Sequence, residues 1–261
     1  MENIKRLIDE NKGDIAVAFK NLKTNSSIMI NEDVIFPSAS TIKLVIIAAL
    51  MNEINKGTMK LEQTITLSDM HKCGGDGILK ELKEGHKFTL YEIAKLMIII
   101  SDNTAANILI KLLGMGNINQ MAEKLGMANT KLNRKMMDSE AVKYGKENVT
   151  TAEDLCHFLE LLYNGKVINK EYSEIILGVL LKQQLGGRLN LYLPENVIIA
   201  HKTGDLDKLE HDAGIVYNYP NDYILCVLTK NLLSNKDGKE IIGRVSLEVY
   251  KYMNKDKYEQ A

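Results

Sequence analysis

The hydrophobic positions of this chain fall into blocks of different period. A polar stretch with helical spacing, residues 1–11, precedes two short runs of alternating apolar and polar positions at 14–21 (DIAVAFKN) and 26–31 (SSIMIN). Alternation of this kind predicts two strands joined by a polar turn. Pro37 and the Ser/Thr run behind it punctuate the chain, and an apolar helix is predicted over 41–55 with Gly57 as its stop. Helical spacing then dominates to about residue 184: 90–100 with a nearly continuous apolar face, 103–113 directly behind it, and amphipathic segments at 151–163 and 169–181, each entered through a polar cap residue. A weakly patterned loop, 132–148, interrupts the block. Strand signals return at 197–202, 212–219 and 223–229, and a helix over 239–253 follows.

Strands at both ends of the chain complete one antiparallel sheet only if the helical middle is an insertion. The expected class is therefore α+β, a sheet flanked by helices in an αβα sandwich. An α/β part would come from 1–38 plus 190–261 and a mainly helical part from 39–189, within a single domain. A crevice is expected where the two parts meet, and such junctions commonly hold ligand sites.

Composition narrows the function. With 45% hydrophobic residues the chain has ample material for a core, and 33 Lys+Arg against 34 Asp+Glu leave a net charge of −1. A near-neutral balance excludes the basic footprint of a nucleic-acid binder. No apolar run reaches the roughly 18 residues of a membrane span. Cys73, Cys156 and Cys226 form no C-x-x-C pair and read as small buried residues or free thiols. The five histidines show no H-x-x-x-H spacing, so no metal site and no cofactor is expected. The segment at 1–11 lacks an apolar signal core, which fits either a cytoplasmic protein or one whose signal peptide has been removed ahead of Met1. A monomer is expected.

Three short motifs carry possible chemistry. Ser40-Thr41-Ile42-Lys43 stands where the apolar helix begins, so unpaired amides and the positive dipole end surround the serine, with Lys43 on the same helical face. A serine there can attack a carbonyl, and a desolvated lysine can serve as its base. The plain alternative is a capping serine and a surface lysine. Ser101-Asp102-Asn103 lies at a helix–helix junction, where taken alone capping is the preferred account over a proton-shuttling Ser101 and an Asn103 that donates to a substrate amide. Lys202-Thr203-Gly204 ends an apolar run and suits a strand end that pairs with a substrate backbone or holds an anion.

Taken in order and in context, the three motifs are the S-x-x-K, S-D-N and K-T-G set of serine β-lactamases and penicillin-binding proteins. From about residue 14 to 250 the chain resembles that superfamily, class A β-lactamases most of all, with the strings FPSASTIK, LMIIISDNTAANILI and HKTG carrying the likeness. The resemblance implies that Ser40 is acylated, that Lys43 is its hydrogen-bonded base or proton relay, and that Ser101 passes a proton to the leaving nitrogen. It also implies that Asn103 holds an acylamide side chain, that Lys202 and Thr203 bind the substrate carboxylate, and that the amides of Ser40 and Asp205, the residue after Gly204, form the oxyanion hole. Arg188 is a further candidate for the carboxylate, with a solvated helix-end arginine as the alternative.

One departure splits the function. Class A enzymes carry Glu-x-x-Leu-Asn in the loop before Thr150-Thr151, whereas this chain reads LNRKMMDSEA over 132–141. Arg134 resembles the arginine opening the family's loop, which puts Met136 in place of the glutamate; counting back from the threonine pair puts Lys135 there. Asp138 and Glu140 are the nearest substitute bases, or else solvated loop charges. The expected activity is hydrolysis of β-lactam amides through a Ser40 acyl-enzyme that deacylates slowly. The alternatives are a penicillin-binding protein acting on D-alanyl peptides, an esterase of the same fold, or a non-catalytic β-lactam sensor.

Overall fold

The computed structural model describes residues 2–255, so Met1 of the first expected helix lies outside the described residues. Helix α1 (Glu2–Asp9) is followed by strands β1 (Asp14–Asn21) and β2 (Ser27–Ile30), then by β3 (Phe36–Pro37), a 3-10 turn at Ala39–Ile42 and helix α2 (Lys43–Asn55). After the small hairpin of β4 (Thr64–Thr66) and β5 (Lys87–Thr89) come α3 (Leu90–Ile99), α4 (Asn103–Leu113), α5 (Met115–Lys124), α6 (Ser139–Lys143), β6 (Val149–Thr150), α7 (Ala152–Tyr163) and α8 (Lys170–Leu180). Strands β7 (Ile198–Leu206), β8 (Leu209–Tyr217) and β9 (Tyr223–Lys230) lead to α9 (Asn235–Met253).

The main sheet has the order β2-β1-β9-β8-β7 with antiparallel pairing throughout. Strand alternation divides its side chains between two cores. Ala16, Ala18, Ile224, Cys226 and Leu228 face the helical body, while Val17, Phe19, Leu225 and Val227 pack against Ile4 of α1 and Ile242, Val245 and Val249 of α9. The result is the expected αβα sandwich, with both chain ends in one sheet. No described helix is long and apolar enough to cross a membrane.

Helix α2 runs through the middle of the helical body, buried from Lys43 to Met51 without a break. A helix apolar on all sides belongs inside a core; Lys43 is the one charge carried into that buried stretch. Its stop is as expected, for Gly57 adopts φ +75°, the left-handed conformation that a glycine supplies at a helix end. The capping side chains also fall where polar residues precede helices: Asp102 accepts from Ala105 N, Thr151 from Asp154 N, and Asn169 from Tyr172 N.

Several boundaries differ from the pattern. The motif Lys202-Thr203-Gly204 lies within β7 rather than at its end, because the hairpin pairing continues through Thr203↔Asp212, Gly204↔His211 and Asp205↔Glu210. These polar residues read as a turn by hydropathy, yet their backbones are paired. Helix α9 likewise begins four residues before the pattern, at Asn235, with Ser234 as its cap. The helix expected from residue 41 opens instead as the 3-10 turn that contains Ser40.

Candidate active site

The turn carrying Ser40 is held from several directions. His211 of β8 donates from Nε2 to the Pro37 carbonyl at 2.8 Å, while its Nδ1 accepts from Thr229 N at 3.1 Å. Burial pushes the His211 pKa down to about 4, which favours a neutral imidazole, and Nδ1 also lies 2.8 Å from the Glu210 carbonyl. Thr41 Oγ1 donates to the Ser38 carbonyl, and Ser38 N donates to the Asn148 carbonyl. Ala39 adopts φ +46°, a strained conformation for a residue with a β-carbon. On the sheet side, β7 comes so near that a β-carbon on Gly204 would stand 3.0 Å from Ser40 N and 3.2 Å from Thr41 N. A side chain there would require the turn to give by a few tenths of an ångström.

Lys43, one helical turn on, is fully buried, and its Nζ lies 2.9 Å from Ser40 Oγ. It also lies 2.6 Å from the Ser101 carbonyl, 3.0 Å from Ser101 Oγ and 2.8 Å from Asn103 Oδ1. An ammonium has three protons and cannot donate to four oxygens. A neutral amine likewise engages only three, by donating to the two carbonyl-type acceptors and accepting from one of the two hydroxyls. Burial lowers the Lys43 pKa to about 7, against the attraction of Asp76, Asp102 and Asp205.

Ser101 is held at φ +56° between α3 and α4. Asp102 locks the junction, for its buried carboxylate accepts from Ala105 N at 2.8 Å and, across the chain, from Ile78 N at 2.7 Å and Leu79 N at 2.9 Å. A β-carbon on Gly77 would fall 2.3 Å from that carboxylate. Capping and site placement are thus one function of the same three residues. From the sheet, Lys202 Nζ reaches Ser101 Oγ at 3.1 Å and the Thr203 carbonyl at 2.7 Å. Burial, and then the nearby Lys43, hold the Lys202 pKa well below its ordinary value.

Of these motifs, Ser40 and Asn103 border a cleft of about 420 Å³ lined also by Met136, Asp138 and Asp205 among others. Lys202 and Thr203 are buried, and neither they nor Gly204 are among the described residues that line it. Arg188 does not take the solvated position: its side chain is 6% exposed and pairs with Glu210 at 2.6 Å and Asp205 at 3.0 Å.

Loop 132–148 is tied down at both ends. Arg134 pairs with Glu147 at 2.7 Å, and the buried Asn148 side chain accepts from the amides of Asn133 and Arg134. Met136 is buried and lines the cleft, with its amide and carbonyl bonded to the Asn107 side chain of α4, whereas Lys135 is exposed. Of the two placements, Met136 therefore occupies the cleft. Asp138 lines the cleft but is engaged as the cap of α6, accepting from Ala141 N at 3.0 Å. Glu140 is on the surface, paired with Lys143, and is no candidate for a base at Ser40. Sequence reasoning missed His211, Asn107, Asn148 and the Gly77 contact; single polar residues whose partners lie 14 to more than 100 positions away carry no local signal.

The comparisons agree with this geometry. The model of the Beta-lactamase enzyme family matches residues 1–253. Beta-lactamase VEB-1 of Pseudomonas aeruginosa is 26% identical over 272 residues, covering 97% of this chain and 90% of that protein. The crystal structure of a β-lactamase from Sphaerobacter thermophilus superposes with a TM-score of 0.90 at 27% identity over 97% of each chain. PBP-A superposes with a TM-score of 0.90 at 28% identity, covering 97% of this chain and 95% of that one. With its sheet closed from both ends, its three motifs gathered around one buried lysine, and a family match along nearly its whole length, this chain belongs to the Beta-lactamase enzyme family.

Proposed function

We propose that the chain is a serine hydrolase of the class A kind that opens β-lactam amides through an acyl-enzyme on Ser40. The observation that carries this reading is the buried Lys43 amine, 2.9 Å from Ser40 Oγ and 3.0 Å from Ser101 Oγ. As the neutral base it takes the Ser40 proton while Oγ attacks the lactam carbonyl. The amides of Ser40 and Asp205 receive the developing oxyanion. The proton returns through Ser101 to the leaving nitrogen, so the C–N bond breaks with a neutral amine departing. Lys202 beside Ser101 favours that transfer by opposing protonation of the site. Every group required is a side chain or an amide of the chain itself.

Deacylation is the slow half. The cleft position given to glutamate by the resemblance holds the thioether of Met136, which cannot activate water. Asp138 is the one remaining loop carboxylate at the cleft, and freeing it requires breaking its cap to Ala141 N. The same observation favours a second reading, a penicillin-binding protein that keeps its acyl-enzyme for D-alanyl peptides. PBP-A, similar in fold, is known as a mutant acyl-enzyme complex with penicillin G.

Intact-mass spectrometry with benzylpenicillin tests the proposal. The protein is expected to gain one penicilloyl adduct that decays over minutes or longer, and Ser40→Ala to gain none. Labelling that persists in Ser40→Ala removes Ser40 from this role.

A further inference from the structure

The resemblance assigns Arg188 to a substrate carboxylate, but the structure shows its guanidinium already occupied by protein oxygens. Nε donates to Glu210 Oε2 at 2.6 Å, Nη2 to Asp205 Oδ1 at 3.0 Å, and Nη1 to the Gly186 carbonyl at 3.4 Å. The first partner is buried with the arginine, the Glu210 side chain being 2% exposed. Asp205 is different: its side chain is 42% exposed and lines the cleft beside Ser40. A carboxylate on the cleft side of a buried guanidinium stands where an incoming carboxylate would bind.

The rest of the cleft does not restore the missing positive charge. Asp76, Asp138 and Asp207 also line it, and among the described residues lining it the one cation, Arg134, is paired with Glu147. Lys202 is fully buried and directed to Ser101 and the Thr203 carbonyl. A substrate carboxylate entering along β7 therefore meets a like charge, or must displace it from the arginine.

We propose that Asp205 is a specificity-determining residue that occupies Arg188 in place of a substrate carboxylate, so that the site favours acyl compounds bearing no negative charge at that end. The proposal rests on the reading that acyl transfer takes place at Ser40, and it deepens that reading by naming the preferred substrates: neutral esters and amides over carboxylate-bearing β-lactams. Asp205 thus has two separable parts, a backbone amide at the reacting carbonyl and a side chain that screens what approaches.

Benzylpenicillin and its methyl ester differ in the carboxylate and share the rest of the scaffold. Their dissociation constants are measured by calorimetry or ligand-detected NMR in Ser40→Ala, where binding is read without chemistry, and again with Asp205→Asn or Asp205→Ala added. The methyl ester is expected to bind Ser40→Ala more tightly than the acid. Either second substitution is expected to shift the acid-to-ester affinity ratio toward the acid by about tenfold, equivalent to roughly 1.4 kcal/mol. An unchanged ratio, a shift toward the ester, or binding of neither ligand overturns the proposal. Thermal melts of the variants establish that the comparison is between folded proteins. Absence of penicilloyl labelling of the wild type by both benzylpenicillin and its methyl ester, by contrast, overturns the Ser40 reading and leaves the affinity ratio as an independent measurement.

Discussion

Lys43 and Lys202 share one hydroxyl: their Nζ atoms lie 3.0 Å and 3.1 Å from Ser101 Oγ, and both side chains are fully buried. Two amines in that position cannot both remain comfortably protonated. Burial penalises each charge, and proximity adds like-charge repulsion to Lys202. The arrangement thus lowers the pKa of both lysines, with the junction of α3 and α4 supplying the hydroxyl between the two amines.

The pH dependence of acylation follows from that arrangement. With a Lys43 pKa of about 7, the neutral amine grows from about a tenth of the population at pH 6 to about nine-tenths at pH 8. The acylation rate constant for benzylpenicillin is expected to rise about tenfold across that interval. Stopped-flow measurement checks it; a rate that is flat from pH 6 to 8, or that falls, is incompatible with Lys43 as the base.

Ser101 has a chemical and a conformational part that two substitutions separate. Both Ser101→Ala and Ser101→Gly remove the hydroxyl between the lysines and are expected to slow acylation by about 10²-fold or more. They differ in stability, because Ser101 sits at φ +56°, where a β-carbon costs about 1 kcal/mol relative to glycine. Denaturant melts are expected to place Ser101→Gly above Ser101→Ala by about that amount, with acylation impaired in both.

Met136→Glu tests the missing base. The backbone of this residue is held by Asn107 Oδ1 at 2.8 Å and Asn107 Nδ2 at 3.1 Å, so the substitution leaves its position in the cleft wall intact. A penicillin is expected to give a burst of one equivalent in both proteins, followed by a steady rate at least about tenfold higher in Met136→Glu. Rapid-quench and steady-state assays separate the two phases. A wild type without a burst, turning over at about 10²–10³ per second, contradicts slow deacylation.

Gly204→Ala tests the approach of β7 to the nucleophile turn. The new β-carbon would face Ser40 N at 3.0 Å and Thr41 N at 3.2 Å, backbone atoms that cannot swing aside. Acylation is expected to fall by at least about tenfold, while stability drops by about 1–3 kcal/mol. Parallel measurement of labelling rate and thermal midpoint checks both; unchanged labelling means the turn does not depend on that contact.

Periodicity and motif order placed most of the framework. Alternation at 14–21 and 223–229 marked strands because one sheet face there meets the helical body and the other meets α1 and α9. Continuous apolarity over 41–55 marked a core helix, and local polar residues marked the caps of α4, α7 and α8. Where chemistry and local structure use the same residues, as in Ser101-Asp102-Asn103, the segment stood out in the sequence.

Hydropathy hid the places where polar backbones pair with one another. Lys202, Thr203 and Gly204 of β7 and Glu210, His211 and Asp212 of β8 are buried despite their polarity, with Thr203 and Gly204 paired to Asp212 and His211, whereas Asp205 pairs with Glu210 and keeps its side chain exposed. Long-range contacts were equally silent. Neither the Pro37–His211 bond nor the Arg188–Asp205 pair has a local pattern, since each depends on where separate elements pack. The sequence by itself determined the layers, the order of the strands' appearance and the three segments that carry reactive groups, because those follow from local burial and local backbone preference. Only the tertiary structure decided that burial lowers the Lys43 pKa, that Met136 lines the cleft and that Arg188 is already taken, because charge state and accessibility belong to the surroundings of a side chain and not to its identity.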